Sequence, residues 1–441
     1  MSGSELARRL IAAGVPPGEL PKKVELSDRA LAAFRQVSAS EPSHAWWIPG
    51  RLELFGKHTD YGGGRTIVAP VPRGFIVVAG RRTGRDVQVV DGRDGESVMI
   101  AERDVTQHGW RHYVSVAVSR LAHNFPGARA GVTIALASDL PRASGMSSSS
   151  ALVVGVATAL RVLWELTGRD EWRRSIQSPA DTPTYYASIE NGATFRGLAG
   201  DSGVGTHGGS EDHAAMLLGQ PRSLSAFSFI PMIPLDLVPL PTGWAVVIAT
   251  SGVQAAKTGD ARAAYNRLSD GVARLLAMWN THVAPADSLA AVLASDPSAD
   301  ARLRELISLS ALPDWPGDAL DRRLTHFQRE DARIPDAIAA LRTTDARSLG
   351  ALSDASQREA AELLGNQVPE TIALASVARR CGALASCSFG AGFGGSVWAV
   401  VERDRAAVFA SAWVDRYQQE YPQRAAVSFL ADPGPPAIAL D

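Results

Sequence analysis

The segment Ser138–Gly155, SDLPRASGMSSSSALVVG, indicates the fold of this chain, because it joins an apolar strand to an apolar helix through glycine and serine. Pro141 ends the strand pattern GVTIALA, and the helix pattern begins within the serine run. The first turn of a helix has unpaired N–H groups and partial positive charge, which favour phosphate. A serine N-cap on an ordinary buried helix is the alternative interpretation. The predicted contacts to nucleotide phosphate are Gly145, Ser147, Ser148, Ser149 and Ser150.

Length and composition narrow the class of protein. A chain of 441 residues with 46% hydrophobic residues predicts two domains, each with a buried interior. The net charge of −2 argues against a nucleic-acid or anionic-membrane surface. Cys381 and Cys387 lack metal-ligand spacing and form no disulfide framework, which is typical of a reducing compartment. With no signal-peptide core or membrane-length apolar run, we expect a cytoplasmic protein that binds neither nucleic acid nor membrane.

The order of apolar patterns predicts an α+β fold. A helical lead-in reaches about residue 40, followed by strands such as AWWIPGRLELFG, RTIVAPV, GFIVVAGRR and VQVVD, and by the helix HYVSVAVSRLAHNF. From about residue 226, strands such as GWAVVIATS alternate with long helices. We therefore predict an N-terminal domain over 1–225 and a C-terminal domain over 226–441.

Two other phosphate motifs fail on spacing and context. GRLELFGKHT suggests a P-loop, but five residues separate Gly50 from Gly56, and His58 follows the lysine where Ser or Thr is required. FGAGFGG satisfies G-x-G-x-x-G yet opens onto SVWAVVE, a strand pattern, where a dinucleotide fold needs a helix. The glycine turn is either a close approach of backbone to a ligand or a plain hairpin.

Three segments, taken in order, resemble the GHMP kinase superfamily, and galactokinases most closely. They are PGRLELFGKHTDYGGGRTIVAPV at 49–71, PRASGMSSSSAL at 141–152 and CSFGAGFGGSV at 387–397. The resemblance implies a ribosomal protein S5 domain 2-like N-terminal half and a ferredoxin-like C-terminal half, with the active site between them. It also implies transfer of the γ-phosphoryl of magnesium ATP to the anomeric C1 hydroxyl of galactose or a related monosaccharide. The partners expected are therefore a small sugar and MgATP.

The resemblance gives specific residues their roles. Asp212 aligns with the carboxylate proposed to accept the proton of the C1 hydroxyl, and Glu211 beside it competes for that role. Arg51 aligns with the arginine that offsets charge between this acid and the phosphate, although the two could form a structural ion pair only. Ser147 or Ser148, with Glu190, would hold Mg²⁺ through oxygen ligands, unless Glu190 is a solvated helix residue.

A sugar pocket is implied by the first and third motifs. Asp60 is placed to accept hydrogen bonds from two neighbouring hydroxyls, whereas His58 is either in the pocket or an internal histidine. The residues implied for the sugar are Lys57, His58, Asp60, Tyr265 and Gly392.

Departures from the family pattern bear on the substrate. Galactokinases have glutamate where this chain has Lys57 and asparagine where it has Glu53. A lysine near the sugar C6 would favour a carboxylate there, as in galacturonic or glucuronic acid, unless Lys57 pairs with Glu53 or points elsewhere. A glycine-rich segment of about ten additional residues precedes Asp212, and Ala143 replaces a family glycine. A catalytically silent sugar and ATP sensor is the remaining alternative, but the expected catalytic groups are all present.

Overall fold

The computed structural model describes residues 3–101, 107–141, 144–254, 259–310, 315 and 317–441. The substitution at position 143 therefore lies outside the described residues. Among these residues no helix combines the length and apolar character needed to cross a bilayer. The helices are α1 (Gly3–Ala13), α2 (Leu20–Val37), α3 (Trp110–Asn124), α4 (Ser148–Leu163), α5 (Asp170–Ser175), α6 (Asp181–Asn191), α7 (Glu211–Leu218), α8 (Gly259–His282), α9 (Leu289–Ser295), α10 (Ala299–Leu309), α11 (Gly317–Arg342), α12 (Ala346–Glu359), α13 (Pro369–Arg380) and α14 (Ala406–Glu420). The strands are β1 (His44–Phe55), β2 (Arg65–Arg81), β3 (Val87–Asp91), β4 (Ser97–Ile100), β5 (Val132–Ser138), β6 (Ser223–Ser228), β7 (Ile233–Pro239), β8 (Trp244–Thr250), β9 (Ala385–Phe389), β10 (Ser396–Glu402), β11 (Ser428–Leu430) and β12 (Ile438–Ala439).

The first sheet, eight-stranded within the described residues, has the order β12-β1-β2-β5-β3-β4, with β6 beside β2 and β7 beside β6. Its long strand β2 covers two segments that the sequence predicts as separate strands. The first half of β2 pairs with β6 over residues 65–68, and the second half pairs with β5 over residues 75–81. Pro72 lies where β2 changes partner, so its missing N–H leaves no gap in either ladder. Pairing with neighbouring strands thus keeps β2 continuous through proline and glycine residues that, in the sequence, predict a turn.

The second sheet is antiparallel and, in the part of the chain described, has the order β11-β8-β10-β9. Helices α13 and α14 pack on it around the buried side chains of Leu374, Phe409 and Trp413. The two sheets and their helices confirm the α+β class expected from the sequence. The helices α8 to α11 form a further core that includes Phe327 and receives Tyr61 from the first domain.

The predicted boundary between residues 225 and 226 lies inside β6. Because β6 pairs with β2, and β7 with β6, both strands belong to the first sheet. The C-terminal strand β12 also returns to that sheet, beside β1. On this sheet membership we propose a boundary within residues 240–243, between β7 and β8, with the last residues of the chain assigned to the first domain.

The helical lead-in forms a layer over the first sheet. Apolar side chains of α2, including Leu26 and Phe34, pack on Trp47 and Ile76 of the sheet. The Lys23 ammonium lies in the same interface, fully buried, and pairs with the carboxylates of Glu19 and Asp139. Asp139 in turn accepts a hydrogen bond from the Gly74 amide at 2.8 Å, just before the serine loop. The first 25 residues are therefore attached to the segment that leads into that loop.

Substitution of Lys23 tests this attachment. We expect Lys23→Met to lower the free energy of unfolding by about 3 kcal/mol, because removing one partner of a buried ion pair leaves the other charge uncompensated. Denaturant unfolding measures the change. Lys22→Met, at an exposed neighbouring position, is the matched control and should have a small effect. Equal stabilities of the two variants would contradict the buried pair.

Candidate active site

Helix α4 begins at Ser148, directly after the glycine and serine loop. Ser147 stands at the N-cap with φ 53°, and its side chain makes no cap hydrogen bond to the helix. The Ser147 hydroxyl instead donates to Asp212 Oδ2, and the Ser150 hydroxyl donates to the same oxygen at 3.2 Å. The serine run is therefore not an ordinary cap, because two of its hydroxyls face an acidic side chain and the first-turn N–H groups stay available.

Arg51 and Asp212 form the centre of the site. Arg51 Nε donates to Asp212 Oδ1 at 2.5 Å, and Arg51 Nη1 donates to the carbonyl of Gly145 at 2.5 Å. Burial alone would lower the pKa of Arg51, but the carboxylates of Asp212, Glu211 and Glu53 raise it well above its ordinary value. The guanidinium thus remains charged between the phosphate loop and the acidic end of the site.

The three sequence motifs meet at this point. Arg51 comes from β1, where register shifts between residues 49 and 51 and between residues 53 and 55 redirect the side chains. A Cβ at Gly390 would lie 2.6 Å from the Gly145 carbonyl oxygen, so the third motif needs glycine to approach the serine loop. Ser396 also donates to the Ser144 carbonyl at 2.5 Å. The glycine turn is therefore a close approach to the site and not a plain hairpin.

A polar cavity opens beside the Arg51–Asp212 pair. Of the predicted site residues it brings together Arg51, His58, Asp60, Ser150, Glu190, Asp212 and Tyr265.

Asp60 and His58 come from the turn between β1 and β2, which α11 holds in place. Arg323 Nη2 donates to the His58 carbonyl at 2.5 Å and to the Tyr61 hydroxyl at 3.0 Å. The rings of His58 and Tyr265 lie 5.6 Å apart. Burial raises the pKa of Asp60 to about 6, although a hydrogen bond from the Glu211 amide to Asp60 Oδ2 at 3.1 Å opposes the shift.

Glu190 lies at the other wall of the cavity, on α6. It is 6% exposed, so it is not a solvated helix residue. Its Oε2 lies 3.5 Å from His213 Nε2 and accepts no hydrogen bond from the described residues. A buried carboxylate oxygen without a donor suits a hard cation such as Mg²⁺, which needs one or two protein carboxylates when phosphates supply other ligands. In the described chain no three His, Cys, Asp or Glu side chains form a complete metal site.

A second cleft, of about 420 Å³, lies across the serine loop from the cavity. Gly145, Ser147, Ser148 and Ser149 line it, as does Trp110 at the start of α3. Apolar and aromatic walls with a few polar groups are typical of sites that bind a planar base. Sequence patterning did not single out this wall, whose members are Phe75, Asp91, Arg93, Trp110, Tyr113, Leu136, Leu140 and Leu152.

Comparisons with known proteins agree with this geometry. Residues 112–179 match the GHMP kinases N terminal domain, residues 32–81 the galactokinase galactose-binding signature and residues 337–419 the GHMP kinases C terminal domain. The chain thus carries GHMP kinase N- and C-terminal domains together with a galactokinase signature, and the GHMP kinase fold expected from the sequence is confirmed. The signature contains Arg51 and Asp60, and the N-terminal domain contains the serine loop. The signature and the galactokinase relatives support a phosphotransferase of the sugar-kinase class.

The chain is similar to proteins named galactokinase. It is 26% identical to the galactokinase of Roseiflexus sp. over 85% of this chain and 88% of that protein. It is 29% identical to the galactokinase of Mycobacterium tuberculosis over 82% of this chain and 90% of that protein. Among solved structures, Lactococcus lactis galactokinase complexed with galactose has the same fold, with a TM-score of 0.74 and 20% identity over 93% of this chain and 99% of that one.

Lys57 does not line the cavity beside Arg51 and Asp212. Its ammonium is fully buried and donates to Ser356 Oγ at 2.8 Å and to Cys387 Sγ at 3.0 Å, with Glu330 Oε1 at 4.0 Å. The same Glu330 oxygen accepts the amide of Gly56 at 3.0 Å. The prediction that Lys57 binds the carboxylate of a uronic acid is therefore wrong, because the lysine faces α11 and α12 and is occupied there.

Gly392 also lies outside both cavities. A Cβ at this position would lie 2.4 Å from the Asn366 side chain and carbonyl, so glycine is required there by packing. Gly390 and Ala391 of the same turn line the sugar cavity instead. The prediction that Gly392 lines the pocket is therefore corrected: Gly390, two residues earlier in the chain, lies at the cavity wall instead.

Several cavity residues were not predicted as sugar ligands. Glu53 and Glu211 were noted only as a departure from the family and as a competitor of Asp212. The glycine-rich segment before α7 supplies a wall, where a Cβ at Gly209 would lie 2.1 Å from Asp60 Oδ2. The unusual acids Glu53 and Glu211 and the glycine-rich segment are visible in the sequence. Only the fold shows that they face the cavity. The additional members of the cavity wall are Glu53, Tyr61, Asn191, Thr206, Gly208, Gly209, Glu211 and His213.

Substitution of Lys57 tests its corrected position. We expect Lys57→Met to lower the free energy of unfolding by about 1–3 kcal/mol, because Glu330 and Ser356 lose a buried partner. The ratio of kcat/KM for galactose and galacturonate should not change. Denaturant unfolding and ADP release with both sugars measure the two effects, with Lys22→Met as the exposed control. A shift of the ratio with unchanged stability would place the lysine at the sugar after all.

Proposed function

We propose that the protein transfers the γ-phosphoryl of ATP to the anomeric C1 hydroxyl of a monosaccharide. The observation that carries the proposal is that one carboxylate, Asp212, contacts both Arg51 and the serines at the start of α4 while it lines the sugar cavity. A phosphate at the helix start and a hydroxyl in the cavity would then meet at Asp212. Such transfer depends on positioning and on neutralisation of charge, which this arrangement provides.

Each end of the site has a distinct task. The first-turn N–H groups of α4 and the hydroxyls of Ser148 and Ser149 bind phosphate oxygens, with the nucleotide base in the cleft beside Trp110. When phosphate draws the hydroxyl of Ser147 away, Asp212 Oδ2 can accept the proton of the C1 hydroxyl. Arg51 holds Asp212 in its ionised form and offsets the negative charge that develops on the transferred group.

The donors for Mg²⁺ lie on the two sides of the serine loop. Glu190, with a buried oxygen that lacks a donor, lines the cavity, and Ser147 and Ser148 line the adjoining cleft. Glu190 with Ser147 or Ser148 would hold the ion, whose charge would support neutralisation of the nucleotide phosphates. The sugar itself is held by this chain's own groups. Asp60 accepts two hydroxyl hydrogen bonds, while His58 and Tyr265 close the wall of the pocket around the ring.

The alternatives have less support. The uronic-acid substrate depended on Lys57, which lies elsewhere, and the cavity wall carries an excess of carboxylates. The silent sensor requires loss of a catalytic group, but Arg51, Glu190 and Asp212 all line the one cavity.

Asp212→Asn tests the role of the carboxylate. The amide keeps the shape of the side chain but cannot accept a proton, so we expect kcat to fall by about 10²–10⁴-fold while the Kd for ATP changes little. A coupled ADP-release assay and calorimetric titration with ATP measure the two values. Asp336→Asn, an exposed carboxylate on α11, is the control. Full activity of Asp212→Asn would reject the proposed mechanism.

The pKa of Asp60 predicts a pH dependence of sugar capture. Because burial raises this pKa to about 6, Asp60 is protonated below that pH and loses its capacity to accept two hydroxyl bonds. We expect kcat/KM for the sugar to fall about tenfold per pH unit below this value and to be level above it. Asp60→Asn should have a low kcat/KM without this acidic limb. The same limb in the variant would assign the titration to another group.

A further inference from the structure

The sugar cavity contains more negative charge than phosphoryl transfer requires. Asp212 and Glu190 have tasks in the proposed reaction, and Asp60 binds hydroxyls. Glu53 and Glu211 have none. Among the described residues that line the cavity, Arg51 is the one Lys or Arg, and the carboxylates are Glu53, Asp60, Glu190, Glu211 and Asp212.

Glu53 and Glu211 form a pair beneath Arg51. Glu53 Oε2 accepts the amide of Gly390 at 3.2 Å and lies 3.9 Å from Arg51 Nη2. Glu211 Oε1 lies 3.5 Å from the same nitrogen. Both side chains are more than nine-tenths buried, at 1% and 7% exposed. One oxygen of each carboxylate is therefore accounted for by a donor of the protein.

The second oxygens, Glu53 Oε1 and Glu211 Oε2, have no donor among the described residues. Both carboxyls approach the same Arg51 nitrogen, and a bond between them requires that one holds a proton. Burial and the negative charges of Glu53 and Asp60 raise the pKa of Glu211 well above its ordinary value, which favours such a shared proton. A positively charged donor can take the place of this proton.

The chemistry of the two carboxyls indicates which group of a ligand would bind to them. An ammonium group has three N–H donors and a positive charge, so it can serve both orphaned oxygens at once, whereas a neutral hydroxyl has one donor. A carboxylate on the sugar would meet like charge.

The position of the Glu53–Glu211 pair indicates which carbon of the sugar would carry the ammonium group. Arg51 contacts Asp212, the proposed acceptor of the C1 proton, at 2.5 Å, and its Nη2 lies between Glu53 and Glu211. The pair is thus one side chain away from the reacting hydroxyl. We infer that Glu53 and Glu211 form an ammonium subsite that selects a 2-amino-2-deoxyhexose as the phosphoryl acceptor, an inference that rests on the proposed sugar 1-kinase function.

The inference is tested on the full-length protein with two matched sugar pairs, galactosamine against galactose and glucosamine against glucose. We expect kcat/KM to be at least tenfold higher for the amino sugar of the better pair. The double variant Glu53→Gln, Glu211→Gln should reduce this preference at least tenfold. Glu41→Gln, an exposed carboxylate outside the cavity, should leave it unchanged. A preference for the neutral sugar, or a ratio that the double variant does not change, would overturn the subsite.

Calorimetry separates this inference from the proposed function. Binding of the amino sugar should release about one proton from the Glu53–Glu211 pair, seen as a dependence of the heat on the ionisation enthalpy of the buffer, whereas the neutral sugar should release none. Glu53→Gln should abolish the release. If no sugar is phosphorylated, the proposed kinase function fails. Binding of the amino sugar with proton release would even then support the ammonium subsite. Binding of both sugars without proton release would reject it.

Discussion

The contact between Arg51 and Asp212 is the interaction on which the site depends. It joins β1 of the first sheet to α7, and through the Gly145 carbonyl it also fixes the serine loop. A guanidinium that is 4% exposed needs such partners, because an isolated buried charge is costly. The same pair that keeps the buried charge satisfied therefore places the acid, the phosphate loop and the sugar cavity side by side.

The surroundings of the pair show how the fold supports it. Register shifts in β1 direct Arg51 and Glu53 into the site, and the β1–β2 turn is held from outside by α11 through Arg323 and Glu330. Lys57 belongs to this support and not to the pocket. A positive side chain beneath the turn neutralises Glu330, so the charge reversal relative to galactokinases is a matter of packing on α11 and α12.

Much of the fold and part of the candidate site could be predicted from the sequence. The serine run before an apolar helix predicts the loop at the start of α4, because helix initiation depends on local backbone chemistry. Asp212 came only from the resemblance to galactokinases, since its place beside Arg51 depends on the fold. The continuous strand β2 could not be predicted, since two neighbouring strands override the turn signal at Pro72. The direction of Lys57 was also inaccessible, because it depends on helices some 270 to 300 residues later in the chain.

The acidic wall of the cavity illustrates the same limit for specificity. Glu53 and Glu211 are visible in the sequence as unusual acids, but only the fold shows that they face each other beneath one guanidinium. The charge that this cavity offers a ligand therefore has to be read from the fold, after internal ion pairs are counted.

A crystal structure with a monosaccharide and a non-hydrolysable ATP analogue tests the central claim most directly. We expect the γ-phosphate at the first turn of α4 and the C1 oxygen within about 3 Å of an Asp212 carboxylate oxygen, with Arg51 beside both. A sugar whose C1 points away from Asp212, or phosphates bound away from the serine run, would contradict it.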